Sequence, residues 1–299
     1  MLKTLVTLNF IHHFTSNSVY ISIRGLFVFI VGDSMSYDLY KGDCLVELNN
    51  IEDHSIDMIL CDLPYGTTAC KWDITLPFDK LWEHYNRITK DESAILLFGS
   101  EPFSSYLRLS NIKNFRYDLI WCKNTSGGFI NAKKQPMKYH EIISVFYKKQ
   151  PVYNPIMQEF AESTKRRYGR NQKFTTPLRK NSIHGITMKP SDENTYIDLS
   201  RGRYPKSILE FNSVANSSKE RVHPTQKPVE LLEYLIKSFT DEGMTVLDNC
   251  MGSGSTGVAC VNTNRNFIGI ELDDNYFRIA DNRLKEAMEL KNESNSGIL

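Results

Sequence analysis

The 299-residue chain has no Cys-x-x-Cys pair among its six cysteines, and none of them is spaced from the seven histidines in the way that zinc sites require. Scattered, unpaired cysteines are typical of free thiols in a reducing compartment. We therefore expect a cytoplasmic protein that has neither disulfides nor a metal site.

An excess of one charge is also missing, since 36 Lys and Arg face 35 Asp and Glu. No overall field draws the protein to a polyanion, so nucleic-acid binding would need a local basic patch.

The apolar stretch Val19–Gly32 carries Arg24 and is too short for a membrane helix, and it has no signal-peptide cleavage site. Because Met35 opens a more regular pattern, we interpret residues 1–34 as an N-terminal extension, either from an upstream start codon or as a dispensable arm.

No repeat of 20 to 50 residues is present, and the chain instead alternates short apolar runs with helical patterns. This alternation predicts an α/β domain in two parts, residues 35–150 and 222–290, with a disordered tail over 291–299. The predicted strands are Met58–Cys61, Ala94–Phe98, Tyr117–Trp121, Ile142–Tyr147, Thr245–Leu247 and Asn266–Ile270. The predicted helices are Phe78–Ile88, Val229–Phe239, one starting near Ser255, and Asn275–Glu289.

Residues 151–221 differ from both parts because they hold thirteen Lys and Arg against seven Asp and Glu. The densest cluster is Lys165-Arg166-Arg167 with Arg170, and aromatic residues are interleaved. A solvated loop insertion is one interpretation. The basic and aromatic mixture favours a nucleic-acid surface.

Residues 59–66, Ile-Leu-Cys-Asp-Leu-Pro-Tyr-Gly, place an Asp, a Pro and an aromatic ring at the end of an apolar strand. Asp62 and a free carbonyl can hold an amino group there, while Tyr65 offers a flat face to a nucleobase. An ordinary exit from a sheet is the alternative interpretation of an Asp-x-Pro strand end.

Residues 248–256, Asp-Asn-Cys-Met-Gly-Ser-Gly-Ser-Thr, form a glycine-rich loop between a predicted strand and helix. No Lys follows the second Gly, so the loop is not of the triphosphate-binding type. Glu271 ends the next strand, where a carboxylate can accept both ribose hydroxyls. The pair predicts a nucleoside-containing cofactor, and a structural turn beside a surface Glu is the alternative.

These segments resemble the amino-group DNA methyltransferases that use S-adenosylmethionine. Asp62-Leu63-Pro64-Tyr65 is similar to their catalytic Asp-Pro-Pro-Tyr motif, and Leu63 keeps the main-chain carbonyl of the second position. Asp248–Gly254 resembles their cofactor motif, and His223–Pro228 resembles the segment over the methionine end of the cofactor. The resemblance implies that the cofactor-binding residues are Asp43, Thr225, Lys227, Asp248, Gly252, Ser253, Gly254 and Glu271.

In this chain the catalytic motif precedes the basic region and the cofactor loop, which is the permuted order of the β class. The resemblance therefore implies a Rossmann-like, S-adenosylmethionine-dependent methyltransferase fold that is circularly permuted and carries an inserted target-recognition region. The strand before Asp43 should then lie beside the strand of Glu271. Around Asp62–Asp73 the chain is similar to phage and prophage members.

The implied reaction is site-specific methylation of the 6-amino group of adenine in double-stranded DNA after base flipping, with Tyr65 as stacking platform. Methylation of the cytosine 4-amino group is the nearest alternative, followed by a catalytically inert DNA-binding protein and an RNA methyltransferase. A homodimer and a partner restriction endonuclease are expectations from the same resemblance. The DNA-contact candidates are Arg166, Arg167 and Arg170, and residues that can border the target pocket are Trp121, Lys123 and Asn124. We assign no role to His140.

Overall fold

A computed structural model describes residues 18–23, 26–31, 35–66, 75–168, 202–214, 222 and 226–296. Within these ranges the strands are β1 (Ser18–Ile23), β2 (Leu26–Val31), β3 (Tyr37–Lys41), β4 (Ile56–Cys61), β5 (Thr89–Gly99), β6 (Phe115–Gly127), β7 (Lys138–Phe146), β8 (Ile208–Glu210), β9 (Thr245–Asp248) and β10 (Asn266–Glu271). The helices are α1 (Cys44–Glu47), α2 (Phe78–Ile88), α3 (Phe103–Ser110), α4 (Glu162–Tyr168), α5 (Val229–Phe239), α6 (Ser255–Asn262) and α7 (Asp274–Ser296), with 3₁₀ turns at Leu48–Asn50 and Phe129–Asn131.

The main sheet has eight strands in the order β3-β10-β9-β4-β5-β7-β6-β8. The strands from β3 to β5 are parallel, and β7 runs antiparallel to both of its neighbours. Lys41 of β3 pairs with Glu271 of β10, which confirms the predicted contact between two distant parts of the chain. β4 also pairs with β9, so the loops after these two strands leave the same edge of the sheet.

Alternating side chains of the central strands bury both faces of the sheet. Met58 and Leu60 point into a core shared with α5, α6 and α7. Ile59 and Cys61 point into a second core, which α1, α2 and α3 cover. Because both faces are covered, these strands are continuous apolar runs, as in sheets that helices enclose on both sides.

Helices α2 and α5 lie where their periodicity predicts them. α2 follows Pro77 and buries side chains at helical spacing, namely Leu81, Trp82, Tyr85 and Ile88. A proline at the start of a helix removes a backbone donor that would have no partner there. α5 follows Pro228 in the same way.

Three features of the structure add to or differ from the sequence prediction. Residues 291–296 belong to α7, so this part of the expected disordered tail is helical. β8 lies inside the basic region 151–221 but pairs with β6, so this region also contributes a strand to the main sheet. β1 and β2 form a separate antiparallel hairpin within the N-terminal extension. In the described part of the chain, no helix is long and apolar enough to cross a membrane.

Candidate active site

A cavity of about 640 Å³ opens at the carboxyl ends of β4, β9 and β10. Open α/β sheets bind ligands at this edge, where loops from neighbouring strands meet. The predicted site residues that line the cavity are Asp43, Asp62, Leu63, Pro64, Tyr65, Lys227, Asp248, Gly252, Ser253 and Glu271. Residues that the sequence separates by up to about three quarters of its length are thus brought to one place.

Glu271 lies at the end of β10 and is held by the backbone. Its carboxylate accepts hydrogen bonds of 2.8 Å from the N–H groups of Gly252 and Asp273. Burial raises the pKa of Glu271, and these N–H donors oppose that effect. Gly252 adopts a positive φ of 52°, a conformation that glycine permits without strain. The turn therefore places its N–H group against the carboxylate.

Asp248 is buried at the end of β9 and ties the glycine-rich loop together. Its carboxylate accepts from the Thr256 hydroxyl at 2.6 Å and from the Cys250 N–H at 3.1 Å. Burial raises the pKa of Asp248 to about 6, although both donors lower it. We interpret Asp248 as the residue that holds the loop in shape under the cavity.

Ser253 and Gly254 contact helix α7 behind the loop. Arg283 donates to the Ser253 carbonyl at 2.6 Å. The Gly254 N–H donates to the Met251 carbonyl at 2.9 Å, and a Cβ on Gly254 would lie 2.9 Å from the Ala280 Cβ. Gly254 does not itself line the cavity, and its described contacts serve the turn and the packing against α7.

Asp43 follows β3 and lies at the opposite rim of the cavity from the catalytic motif. Its carboxylate accepts from the Leu45 N–H at 2.9 Å and caps helix α1. An N-cap of this kind holds a side chain in a defined direction while leaving its second oxygen for another donor.

Asp62 lies just after β4, and both of its carboxylate oxygens have partners. Tyr65 donates its hydroxyl hydrogen to one oxygen at 2.5 Å, and the Lys227 ammonium contacts the other. Burial raises the pKa of Asp62, while Lys227 partly offsets this. The Tyr65 ring packs against Phe103 with its centroid 4.8 Å away. The motif is thus a connected unit and not a simple exit from the sheet.

Glu141 on β7 is a member of the site that sequence reasoning missed. It lies 3.3 Å from the Lys227 ammonium and also pairs with Lys123. Burial raises the pKa of Glu141, but the two lysines outweigh it and hold the pKa below its usual range. Burial disfavours the charged form of Lys227, yet Asp62 and Glu141 raise its pKa. The result is a row of alternating charges from Asp62 through Lys227 and Glu141 to Lys123.

A sequence signal for Glu141 existed, since it directly precedes the predicted strand that starts at Ile142. The start of a strand points away from the site when all strands are parallel. β7 is antiparallel, so its start lies at the edge where the other strands end. Strand direction was the missing information.

The remaining predicted residues have diverse surroundings. Trp121 is buried and donates its indole N–H to the Phe211 carbonyl at 2.9 Å, which agrees with a core role, although its edge lines the cavity. Asn124 accepts from the Ser213 N–H at 2.9 Å. Arg166 is exposed on α4. Arg167 also lies within α4, whereas Arg170 and Thr225 lie outside the described residues.

His140 also lines the cavity. Its place on β7 is beside Glu141 and opposite Cys122 of β6. Among the described residues, no group of three or more His, Cys, Asp or Glu side chains could hold a metal ion.

The cavity suits S-adenosylmethionine by its size and by its donors and acceptors. Glu271 presents a fixed carboxylate, which is the kind of acceptor that ribose hydroxyls need, and the walls beside it include the apolar Met251 and Ile270. A volume of this order holds a ligand of nucleoside size. The fold and the cavity define a methyltransferase of the Rossmann-like class that uses S-adenosylmethionine.

Comparison with known proteins gives the family. A model of the DNA methylase family, which groups N6 and N4 methyltransferases, matches residues 56–282, and the chain belongs to this family. Type II methyltransferase M.HpaI of Haemophilus parainfluenzae is 29% identical over 264 residues, which cover 84% of this chain and 74% of the relative. DNA adenine methyltransferase YhdJ of Escherichia coli strain K12 is 28% identical over 264 residues, 83% of each chain.

Solved structures share the fold. The M1.HpyAVI–SAM complex has a TM-score of 0.53 at 24% identity and covers 83% of this chain and 98% of its own. The cytosine-N4-specific PvuII DNA methyltransferase has a TM-score of 0.58 at 14% identity and covers 87% and 92%. The expected Rossmann-like fold is thereby confirmed.

Proposed function

We propose that the protein transfers the methyl group of S-adenosylmethionine to the 6-amino group of adenine in double-stranded DNA. The observation that carries the proposal is the partly buried, hydrogen-bonded Asp62–Tyr65 unit, which shares one cavity with the Glu271 carboxylate. The relative YhdJ is named a DNA adenine methyltransferase, and its similarity extends over 83% of this chain, which supports adenine as the base. The cytosine-N4 enzyme resembles this chain at the level of the fold.

The target amine lies inside the stacked duplex, so the base must first leave the helix at a cost of a few kcal/mol. Tyr65 lies at the cavity wall, next to Asp62, where its ring can contact the flipped base. The pocket that receives the base is walled by β4, β6 and β7. The enzyme thereby separates the reacting amine from bulk water.

An aromatic amine is a weak nucleophile because its lone pair is delocalised into the ring. Hydrogen bonds from the amine to the Asp62 carboxylate and to the Leu63 carbonyl favour a pyramidal nitrogen, whose lone pair is withdrawn from the ring and can point at the incoming methyl group. When bound, S-adenosylmethionine supplies a methyl group that is already activated by the sulfonium charge, so that a nitrogen–carbon bond forms as the carbon–sulfur bond breaks. Asp62 accepts the amine proton or passes it to water.

Lys227 contacts the Asp62 oxygen that the amine would use. Glu141 offers this ammonium group a second carboxylate at 3.3 Å. We infer that Lys227 moves toward Glu141, or toward the carboxylate of the cofactor, when the amine arrives. The charge of Lys227 then stays inside the site while Asp62 changes partners.

A catalytically inert protein would not need this arrangement, since two partly buried carboxylates beside a buried lysine carry a desolvation cost. The proposal also includes a cytoplasmic location, where DNA and S-adenosylmethionine are both present. A homodimer and a partner restriction endonuclease belong to the proposal as well, the second because relatives such as M.HpaI are type II methyltransferases.

The test is incubation with S-adenosylmethionine and DNA that carries no prior methylation, followed by digestion to nucleosides and mass spectrometry. We expect N6-methyladenine, and we expect Asp62→Asn to lower kcat by about 100- to 1,000-fold, because one preorganised acceptor of the amine is weakened. Cofactor affinity should stay the same in this variant, which shows that it is folded.

N4-methylcytosine as the product would replace the base but keep the mechanism. Absence of any methylated nucleoside from protein that binds the cofactor would overturn the proposal, and RNA methylated in preference to DNA would replace the substrate.

A further inference from the structure

The connection between β6 and β7 carries a hydrophobic tip that is largely uncovered by the described residues. Phe129 and Ile130 on this tip are 80% and 96% exposed. Exposed apolar side chains that lie together often mark a surface that a binding partner covers. The tip therefore calls for an explanation that the core does not provide.

The tip is an ordered turn and not a frayed end. Gly128 adopts a positive φ of 85° and starts the 3₁₀ turn Phe129–Asn131. The Asn131 N–H donates to the Gly128 carbonyl at 2.9 Å, and the Ala132 N–H donates to the Phe129 carbonyl at 3.0 Å. Gly127 and Lys138 pair across the base of the hairpin. Phe129 and Ile130 are thus presented by a backbone that is already arranged.

The charge of this hairpin is one-sided. Residues 122–140 contain four lysines and neither Asp nor Glu, although the whole chain has a net charge of +1. Lys133 and Lys134 are exposed directly after the tip. Duplex DNA fits such a surface, because its phosphates can pair with the lysines and its stacked bases can contact the apolar side chains.

The position of the hairpin selects the same partner. Thr125, Ser126 and Gly127, which lead to the tip, line the cavity that contains Asp62, and so does Lys138 on its far side. The tip consequently projects from the rim of the pocket that would receive a flipped base.

We propose that Phe129 and Ile130 form a wedge that enters the base stack beside the target nucleotide, while Lys133 and Lys134 contact the phosphates. Filling the gap left by the flipped base offsets part of the cost of unstacking. This inference rests on the proposed function and adds a DNA-contact surface that is separate from the basic cluster around Arg166.

The test uses the sequence that the wild-type enzyme methylates, identified first by mapping the modified bases in plasmid DNA. Two duplex oligonucleotides carry this sequence, one fully paired and one with an abasic site opposite the target base. The abasic duplex makes flipping easy. We expect the double variant Phe129→Ala/Ile130→Ala to lower kcat/KM by about 10- to 100-fold on the paired duplex and by less than about threefold on the abasic duplex.

The matched control is Tyr106→Ala/Leu109→Ala, which removes apolar side chains that are 64% and 69% exposed on α3. This control should leave both rates unchanged. Lys133→Ala/Lys134→Ala should raise KM on both duplexes alike and weaken its dependence on salt.

Equal losses on the two duplexes, or no loss on the paired one, would overturn the wedge. A lower molecular mass of the Phe129/Ile130 variant in light scattering would show instead that the tip joins two copies of the chain. A lower Tm would show that the tip is buried by another part of the same chain. Failure of the wild-type protein to methylate any DNA would reject the proposed function itself, and is therefore distinguishable from failure of the wedge.

Discussion

The two halves of the cavity hold their carboxylates in different ways. In the cofactor half, Glu271 and Asp248 accept hydrogen bonds from backbone N–H groups and a hydroxyl. In the target half, Asp62 and Glu141 face the ammonium groups of Lys227 and Lys123. Asp248 is buried, and Glu271, Asp62 and Glu141 are partly buried, so the main difference between the halves lies in the donors.

Backbone N–H groups are fixed in place by the fold, so they hold a carboxylate in one orientation. Ammonium groups on long side chains can exchange one carboxylate for another, because their charge is not tied to a direction. The cofactor half is therefore suited to recognition of a constant ligand, while the target half can change its pairing when an amine enters. Three predictions test this distinction: two on binding and rate, from the larger effect to the smaller, and one on stability.

Glu271→Gln should weaken the binding of S-adenosylmethionine by about 10- to 100-fold, since hydrogen bonds to a charged group contribute about 1.5–3 kcal/mol. The rate at saturating cofactor should change little. Isothermal titration calorimetry measures the affinity, and Asp274→Asn, which removes an exposed partner of Lys41, is the control. An unchanged affinity would show that the backbone, and not the carboxylate, carries recognition in this half.

Lys227→Met should lower kcat/KM at neutral pH by about tenfold, because a buried cation is removed from between two carboxylates. Lys227 lowers the pKa of Asp62, so its loss should move the acid limb of the kcat/KM profile to higher pH. Glu141 raises the pKa of Asp62, so Glu141→Gln should move that limb to lower pH.

The control for this pair is Lys237→Met, which removes an exposed lysine paired with Glu233. Shifts in the same direction for Lys227→Met and Glu141→Gln would contradict the alternating row of charges. A profile that neither substitution moves would show that Asp62 does not titrate in the reaction.

Asp248→Asn should change how stability depends on pH. The folded protein binds the Asp248 proton more tightly than the unfolded chain does, because burial raises the pKa from 3.8 to about 6. The wild-type protein should therefore lose up to about 3 kcal/mol relative to the variant as the pH rises from about 4 to about 6. Thermal unfolding without cofactor measures this, and a pH-independent difference would show that Asp248 keeps its ordinary pKa.

The sequence was most informative where local pattern and burial agree. The bounds of α2 and α5 were predicted to the residue, since a proline precedes each helix and apolar side chains recur at helical spacing. The pairing of β3 with β10 followed from the order of the motifs in the family that the chain resembles. Both kinds of prediction depend on short-range pattern or on known topology.

Other features depended on contacts that no local pattern encodes. Glu141 needed the reversed direction of β7, and β8 is only three residues long, which is too short for any periodicity. Gly254 matched a motif, yet its N–H is used inside the turn and its missing side chain leaves room for Ala280. A motif names a residue type, whereas the structure shows which of its atoms are used.

The pairing of β3 with β10 has a consequence for synthesis. Ser36 on one side of this contact and Asn266 on the other are 230 residues apart. During translation the strand that carries Asp43 leaves the ribosome long before its partner exists, and the Asp62 motif follows it early. A nascent chain that already contains the segment proposed to be catalytic thus has no completed cavity until β10 emerges. Interrupted translation would consequently release fragments that cannot modify DNA.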